Sequence, residues 1–391
     1  MTDLVKENIF KYIQELEGIR HPVTSTEHIN YTAKYIKERF EEKGLEILPN
    51  SFKLKGSEEY FENIVGLIRG KNEKKLVIGA HYDSVYNSPG ANDNLSGLSV
   101  LLEICNCLSL GETPEYSIIF VAFTLEEGNP ILYSKRNELL KKHGLVGSQE
   151  RYVSWQTYTS VRELEKVIEQ LVFKGFNYEQ AARCAVKFTK NLKESSSQQL
   201  EKYSNDLIDM YTQYSEPSEM SLIGSKIFMD SYITGNESDV VGMINLDTLG
   251  YTSKEFGSQV IPEAFLKADA DLFNVSLEKK IGNFLTIISS RNATHLVSKL
   301  TNEFKCNEKP VPYYSMNIQE QDVKKIFRNY GELMSSDHVH FWLAGIPVLY
   351  LTDTGRYRYP YYHTPADASD YLDFDFMEEI TKKCVKFIRN L

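Results

Sequence analysis

The chain has 391 residues, 42% of them hydrophobic, and a formal charge of −10. That length admits one large α/β core with an insertion, or two domains, and the acidic balance argues against a general nucleic-acid or anionic-membrane binder, whose footprint is basic. No apolar run approaches the ~18 residues a bilayer span needs, and the charged start MTDLVKENIFKYIQELEGIR lacks a signal-peptide core, so the expectation is a cytoplasmic protein.

In chain order, Val5, Ile9, Phe10, Ile13, Leu16 and Ile19 recur at steps of three and four and predict an amphipathic helix. A second helix is expected from Thr24, with Glu27 completing a capping box, to a stop at Gly44. Strands are expected at 46–48, 63–68 and 76–80, then a helix at 95–108 and a strand at 117–123. Between 129 and 222 helical periodicity replaces strand-like runs, at 161–173, 178–191 and 198–214, with a break at Ser195-Ser196-Ser197. This region reads as an inserted helical element, and the remainder, 1–128 and 223–391, as the catalytic domain. Beyond it come a buried strand at 239–247, α/β material at 282–304, a helix opening at Ser335-Ser336-Asp337-His338, a strand at 346–351 and a closing helix after Asp367. Strands alternating with helices predict an α/β sheet covered on both faces. The five cysteines, Cys105, Cys107, Cys184, Cys306 and Cys384, form no CxxC pair, which fits a reducing compartment. Asn94-Leu95-Ser96 is formally a glycosylation sequon, and a glycan there would block the presumed site.

The stretch LVIGAHYDSVYNSPGANDNLSG, Leu76 to Gly97, carries the first chemistry. Leu76 to Ala80 suit a strand buried on both faces, and His81 stands where it should end, facing the crevice in which α/β sheets bind ligands. Asp83, two residues on, can share a face with His81 and accept its second ring N–H. Asp93 follows in a turn-rich loop. Three further apolar runs end in or lead to metal-competent side chains: Glu126-Glu127, Asp247 and His363. So many carboxylates at one sheet edge are hard to explain by stability, since an unpaired buried carboxylate is costly. Two divalent cations would balance Asp93, Glu127 and Asp247 together with one hydroxide, and imidazole with carboxylate suits zinc, with cobalt or manganese as substitutes. Glu126 is then free to act as a proton acceptor.

The motifs GAHYDS, PGANDNLSG, FTLEEG, GMINLDTLGY, SDHVHFWLAGIP and YYHTPADASD resemble, in that order, those of the M28 zinc exopeptidases, the family of bacterial leucyl aminopeptidases. The resemblance covers nearly the whole chain outside the helical insertion. It implies a three-layer α/β/α fold around a mixed, mostly parallel twisted sheet, of the zinc-exopeptidase and phosphorylase/hydrolase type. It also implies two Zn2+ per chain: Asp93 bridging, His81 and Asp247 completing one ion, Glu127 and His363 the other. Glu126 would be general base and then acid, Asp83 the partner of His81, and the Asp93–Asn94 peptide cis. The substrates so implied are peptides with a free N-terminus. Tyr313, Tyr314, Tyr361 and Tyr362 are candidate oxyanion donors. Asp337 is expected either to orient a ligand histidine or, with Ser335 or Ser336, to cap its helix; His340 and His143 are assigned to surface or core. The family usually joins the glutamates to the next aspartate by a short connection ending in Gly-Ser. Here both Gly147-Ser148 and Gly224-Ser225 fit that place. The insertion, 129–222, is expected to limit substrate length as a cap or to build a homo-oligomer interface. The rival expectations are a single-zinc glutaminyl cyclase-like acyltransferase and a non-catalytic scaffold.

Overall fold

The strands are β1 (Glu46–Leu48), β2 (Ser51–Lys53), β3 (Tyr60–Glu62), β4 (Ile64–Ile68), β5 (Asn72–His81), β6 (Tyr116–Phe123), β7 (Val240–Leu246), β8 (Leu285–Ser290), β9 (Tyr313–Ile318) and β10 (Val348–Thr352). This computed structural model describes residues 4–147, 151–173, 176–192, 198–213, 219–261, 280–305 and 311–391; Ser148, the Ser195–Ser197 break and Cys306 lie outside them. The chain forms two compact units, one of Met1–Glu127, Gly224–Gln321 and Ser336–Leu391, the other of Gly128–Ile223 and Asp322–Ser335.

In the first unit eight strands form one mixed sheet in the order β1-β4-β6-β5-β7-β10-β8-β9. The central four, β6, β5, β7 and β10, run parallel, so their carboxyl ends share one edge. Registration fixes the level: His81 lies beside Phe123, Gly79 beside Asn245, and Leu351 beside Leu246. Alternation then divides the faces. Leu76, Ile78, Ala80, Ile244, Leu246, Leu349 and Leu351 join a core closed by helices Val5–Leu16, Gly97–Ser109, Thr294–Lys305 and Phe374–Arg389. His81 falls on the opposite face, where Phe123 packs with Phe228 and Phe341 at ring separations of 5.9–6.5 Å. Gly79 is required there because a Cβ would stand 2.4 Å from the Phe123 ring. Burying each such Leu or Ile side chain contributes about 1.5–3 kcal/mol, and this two-sided burial anchors the strands that carry the site.

Some local expectations differ. The second helix runs Thr26–Glu42 with Ser25 at its N-cap and no side-chain cap. The Thr24–Glu27 box does not form because His21 Nδ1 takes the N–H groups of Val23 and Thr24 instead. The segment expected to be helical from residue 95 begins as a π-helical turn, Ala91–Ser96. The β2–β3 hairpin and β9 had no sequence reading, being short or half-exposed.

The second unit holds helices Pro130–Lys142, Trp155–Phe173, Tyr178–Leu192 and Gln198–Tyr211 around its own core of Leu140, Val161, Leu164, Ala181, Ala185 and Leu207. Within that core Arg136 pairs with Glu165 and donates to the Tyr152 hydroxyl at 3.1 Å. Asp322–Ser335 joins this unit from far along the chain, which hydropathy alone does not disclose.

Candidate metal centre

His81 closes β5 and is buried. Its Nδ1 lies 3.2 Å from the Asp83 carbonyl, which can only accept, so Nδ1 carries the proton and Nε2 is left for the cluster. Nε2 lies 3.2 Å from Asp93 Oδ1, 3.7 Å from Asp247 Oδ1 and 3.9 Å from Glu126 Oε2. On the other side of Asp93, Oδ2 is 3.0 Å from His363 Nε2, which is itself 3.2 Å from Glu127 Oε2. The five side chains expected as ligands, and Glu126, therefore converge. His81, Asp93 and Glu127 each offer an atom within 4.8 Å of the others, and so do His81, Glu126 and Asp247.

The loops that carry these groups are held by buried hydrogen bonds. Asp93 sits in the Ala91–Ser96 turn, and the Asp93–Asn94 peptide is cis, as the resemblance implies. The Asp367 carboxylate accepts the N–H groups of Asn92 (2.7 Å) and Asp93 (3.2 Å). Asn94 donates to Leu246 O at 2.9 Å and accepts from Thr248 N at 3.2 Å, tying this turn to the end of β7 just beside Asp247. Asn92 donates to Asp353 Oδ2 at 3.0 Å, and Asp353 also accepts from Tyr251 N and Gly355 N. Leu125, Thr248 and His363 adopt left-handed φ of 55°, 53° and 57°. Each is a non-glycine at or next to a cluster residue, so backbone strain is concentrated where the side chains must be aimed.

Asp83 serves two neighbours. Its carboxylate pairs with His81 at 3.6 Å from Nδ1, and it also accepts from Glu126 N (3.2 Å) and Glu127 N (3.0 Å). Asp337 sits at the N-cap position of helix His338–Leu343 with no side-chain cap hydrogen bond, and Ser225 donates to its buried carboxylate. His338 is buried and stacks on Tyr350, ring centroids 4.4 Å apart. His340 is half-buried, and His143 pairs with Asp206 at 2.8 Å in the helical unit.

Gly224 packs on the glutamate loop: a Cβ there would meet Thr124 O at 2.1 Å, and Asn63 donates to Gly224 O at 2.8 Å. Ser225 neighbours Asp337. Gly224-Ser225 is thus the pair at the site. Among the tyrosines, Tyr313 and Tyr314 lie on the outermost strand, β9, with Tyr313 against Phe304. Tyr361 packs between Tyr359 and Tyr371, whereas Tyr362 stacks on the His363 ring at 3.9 Å.

The electrostatics show a cluster short of positive charge. Burial opposes protonation of His81, but Glu126, Asp247, Asp83 and Asp93 outweigh it and push its pKa well above the ordinary value. His363 behaves alike, raised to about 10 against burial by Glu127 and Asp93. Burial drives Glu126 well above the carboxylate range, opposed by His81 and reinforced by Glu127, Asp337 and Asp247. Glu127 reaches about 7 for the same leading reason, opposed first by His363. Asp93 is held low because the two histidines overcome its burial.

A zinc ion fits this donor set. Bonds of 2.0–2.2 Å in tetrahedral geometry place ligand atoms about 3.3 Å apart, close to the separations on each side of Asp93. Asp93 Oδ2, 3.0 Å from His363 Nε2, and Glu127 Oε1 are buried without a well-aligned hydrogen bond. Buried carboxylate oxygens left short of donors are what a cation would satisfy.

A parallel sheet with an acidic, histidine-bearing cluster at its carboxyl edge is the arrangement of a metal-dependent hydrolase. The chain belongs to peptidase family M28, whose model matches residues 63–220 and 218–388, and the resemblance to its zinc exopeptidases is thereby shown. It is a metallopeptidase, and peptides are its substrate class. It is 21% identical over 98% of its length, and 88% of the relative's, to the uncharacterized protein YfbL of Escherichia coli. It is 46% identical over 69 residues, 17% of this chain and 15% of the relative, to aminopeptidase YwaD of Bacillus subtilis. Among solved structures, the Legionella pneumophila LapA aminopeptidase superposes with a TM-score of 0.54 at 16% identity, covering 99% of this chain and 71% of that one. The Fimbriiglobus ruber glutaminyl cyclase does so at 0.52 and 14%, covering 100% and 96%. These two likenesses establish the α/β fold and do not separate the two activities.

Proposed function

We propose that the chain is an aminopeptidase whose site takes two zinc ions sharing Asp93. One observation carries the reading: the two oxygens of a single buried carboxylate face two different histidines, His81 at 3.2 Å and His363 at 3.0 Å. His81 and Asp247 would hold one ion, Glu127 and His363 the other, with cobalt or manganese as substitutes. Zinc bound there supplies Lewis acidity, polarising a carbonyl and making water a nucleophile near neutral pH. Glu126 accepts the proton of the attacking water at its carboxylate and delivers it to the leaving amine. Its buried, carboxylate-rich surroundings favour the protonated form that the second half of this task needs. Asp83 orients Glu126 and Glu127 through their backbone N–H groups. Tyr362, stacked on His363, is the tyrosine best placed to donate to a developing oxyanion. The preference for a free N-terminus is what the resemblance to the family's aminopeptidases implies.

Support for the aminopeptidase activity comes from the YwaD match; the fold likeness to glutaminyl cyclase supports a second reading, a single-zinc cyclisation of N-terminal glutamine. An aminoacyl anilide assayed beside its N-acetylated form and a glutaminyl peptide separates them. Hydrolysis of the free-amine anilide alone is expected; cyclisation of the glutaminyl peptide without anilide hydrolysis would favour the second reading. The helical insertion, 129–222, is proposed to set substrate length or assembly state. Its deletion should change peptide-length preference or oligomeric state, and unchanged values of both would remove that role.

A further inference from the structure

Arg20 is a fully buried arginine with no carboxylate partner among the described residues. Its Nε donates to Tyr82 O at 2.8 Å, Nη1 to Gly18 O at 2.7 Å and to Pro89 O, and Nη2 to Gly90 O at 3.0 Å. Its own backbone N–H donates to Ser84 Oγ at 2.9 Å, and its carbonyl accepts from Ser84 N at 3.2 Å. Tyr82 directly follows His81, while Pro89 and Gly90 lead into Asp93. One planar group thus clamps both ends of the loop between these two residues. Gly90 accommodates the clamp: it has φ +61°, and a Cβ on it would stand 2.7 Å from Arg20 Nη2. Burial lowers the guanidinium to about 10, opposed by Asp367, Asp83, Asp93 and Glu127, so it stays charged at neutral pH beside the acidic cluster. A buried cation satisfied wholly by backbone carbonyls leaves its charge uncancelled by any direct partner.

We infer that Arg20 is a positioning residue which, by tying Tyr82 to Pro89 and Gly90, presets the His81 to Asp93 span before an ion arrives. The inference rests on the reading of His81 and Asp93 as ligands. Lysine keeps the charge but has one nitrogen and cannot reach four carbonyls.

The test is zinc affinity by competition with a chromophoric chelator, on wild type, Arg20→Lys, Arg20→Gln and a core control, Ile13→Ala, which loses stability away from the loop. Both Arg20 variants should bind zinc about 10–100-fold more weakly than wild type, with Ile13→Ala within about twofold. Affinity in the Arg20 variants within about twofold of wild type, or an equal loss in Ile13→Ala, would overturn the inference. Should neither Arg20 variant fold, hydrogen exchange on the zinc-free wild type decides. Amides of Ser84, Ser88 and Gly90 as protected as those of β5 support the clamp, and exchange at exposed-loop rates contradicts it. A wild type that takes up no zinc would sink the metal reading, and the exchange measurement would still decide on Arg20.

Discussion

Replacing Asp83 by asparagine keeps the side-chain shape and removes one acceptor. Its two oxygens take the N–H groups of Glu126 at 3.2 Å and Glu127 at 3.0 Å. Asparagine accepts one of these and turns an NH2 toward the other, so one buried N–H loses a charge-assisted bond contributing roughly 1.5–3 kcal/mol. Against this, Asp83 opposes ionisation of Asp337, and removing its charge relieves part of that repulsion. The net loss in the zinc-free protein is then about 1–2 kcal/mol. With zinc present, a less ordered glutamate loop should weaken binding by roughly 10–100-fold. Urea unfolding in chelator measures the first quantity and chelator competition the second. The His81 ring resonances should shift too, because the Asp83 carboxylate 3.6 Å from Nδ1 helps to hold that ring protonated. Wild-type midpoint and affinity would refute the reasoning.

Glu126→Gln should retain zinc and lower kcat by about 10²–10⁴-fold, and undiminished hydrolysis would show that the proton carrier is another group. His21 must remain unprotonated at Nδ1 to accept from Val23 and Thr24, and burial pulls its pKa down to about 4 against a weaker pull from Asp83. A folded value below the unfolded value of about 6.5 leaves this contribution whole above that pH and removes up to about 3 kcal/mol as pH falls toward 4. Denaturant midpoints of the zinc-free protein across pH 4–7 check this, and His21→Asn, which accepts without titrating, should flatten the profile. Gly224→Ala places a methyl 2.1 Å from Thr124 O and should cost about 1–3 kcal/mol and disturb the glutamate loop; a variant with wild-type midpoint and turnover would contradict the packing.

The site was legible where side chains stand at the ends of parallel strands. His81 and Asp247 follow apolar runs whose order the sheet preserves, and His363 and the glutamates carry family motifs. Asp353 follows β10 as Asp247 follows β7, so the rule that marks Asp247 marks Asp353 as well. Asp83 beside His81 followed from alternation, whereas its bonds to the Glu126 and Glu127 N–H groups come from the loop after β6, which alternation does not reach. Arg20 left no trace: its acceptors are carbonyls, which no residue pattern advertises. Nor does hydropathy reveal that Asp322–Ser335 joins the helical unit, a pairing made by tertiary packing alone.

The central claim, two ions sharing Asp93, is tested most directly by counting zinc per chain after dialysis against a buffered excess. Two per chain are predicted for wild type, one for His363→Ala and none held tightly by Asp93→Asn. A single zinc in wild type that survives His363→Ala unchanged would contradict the account.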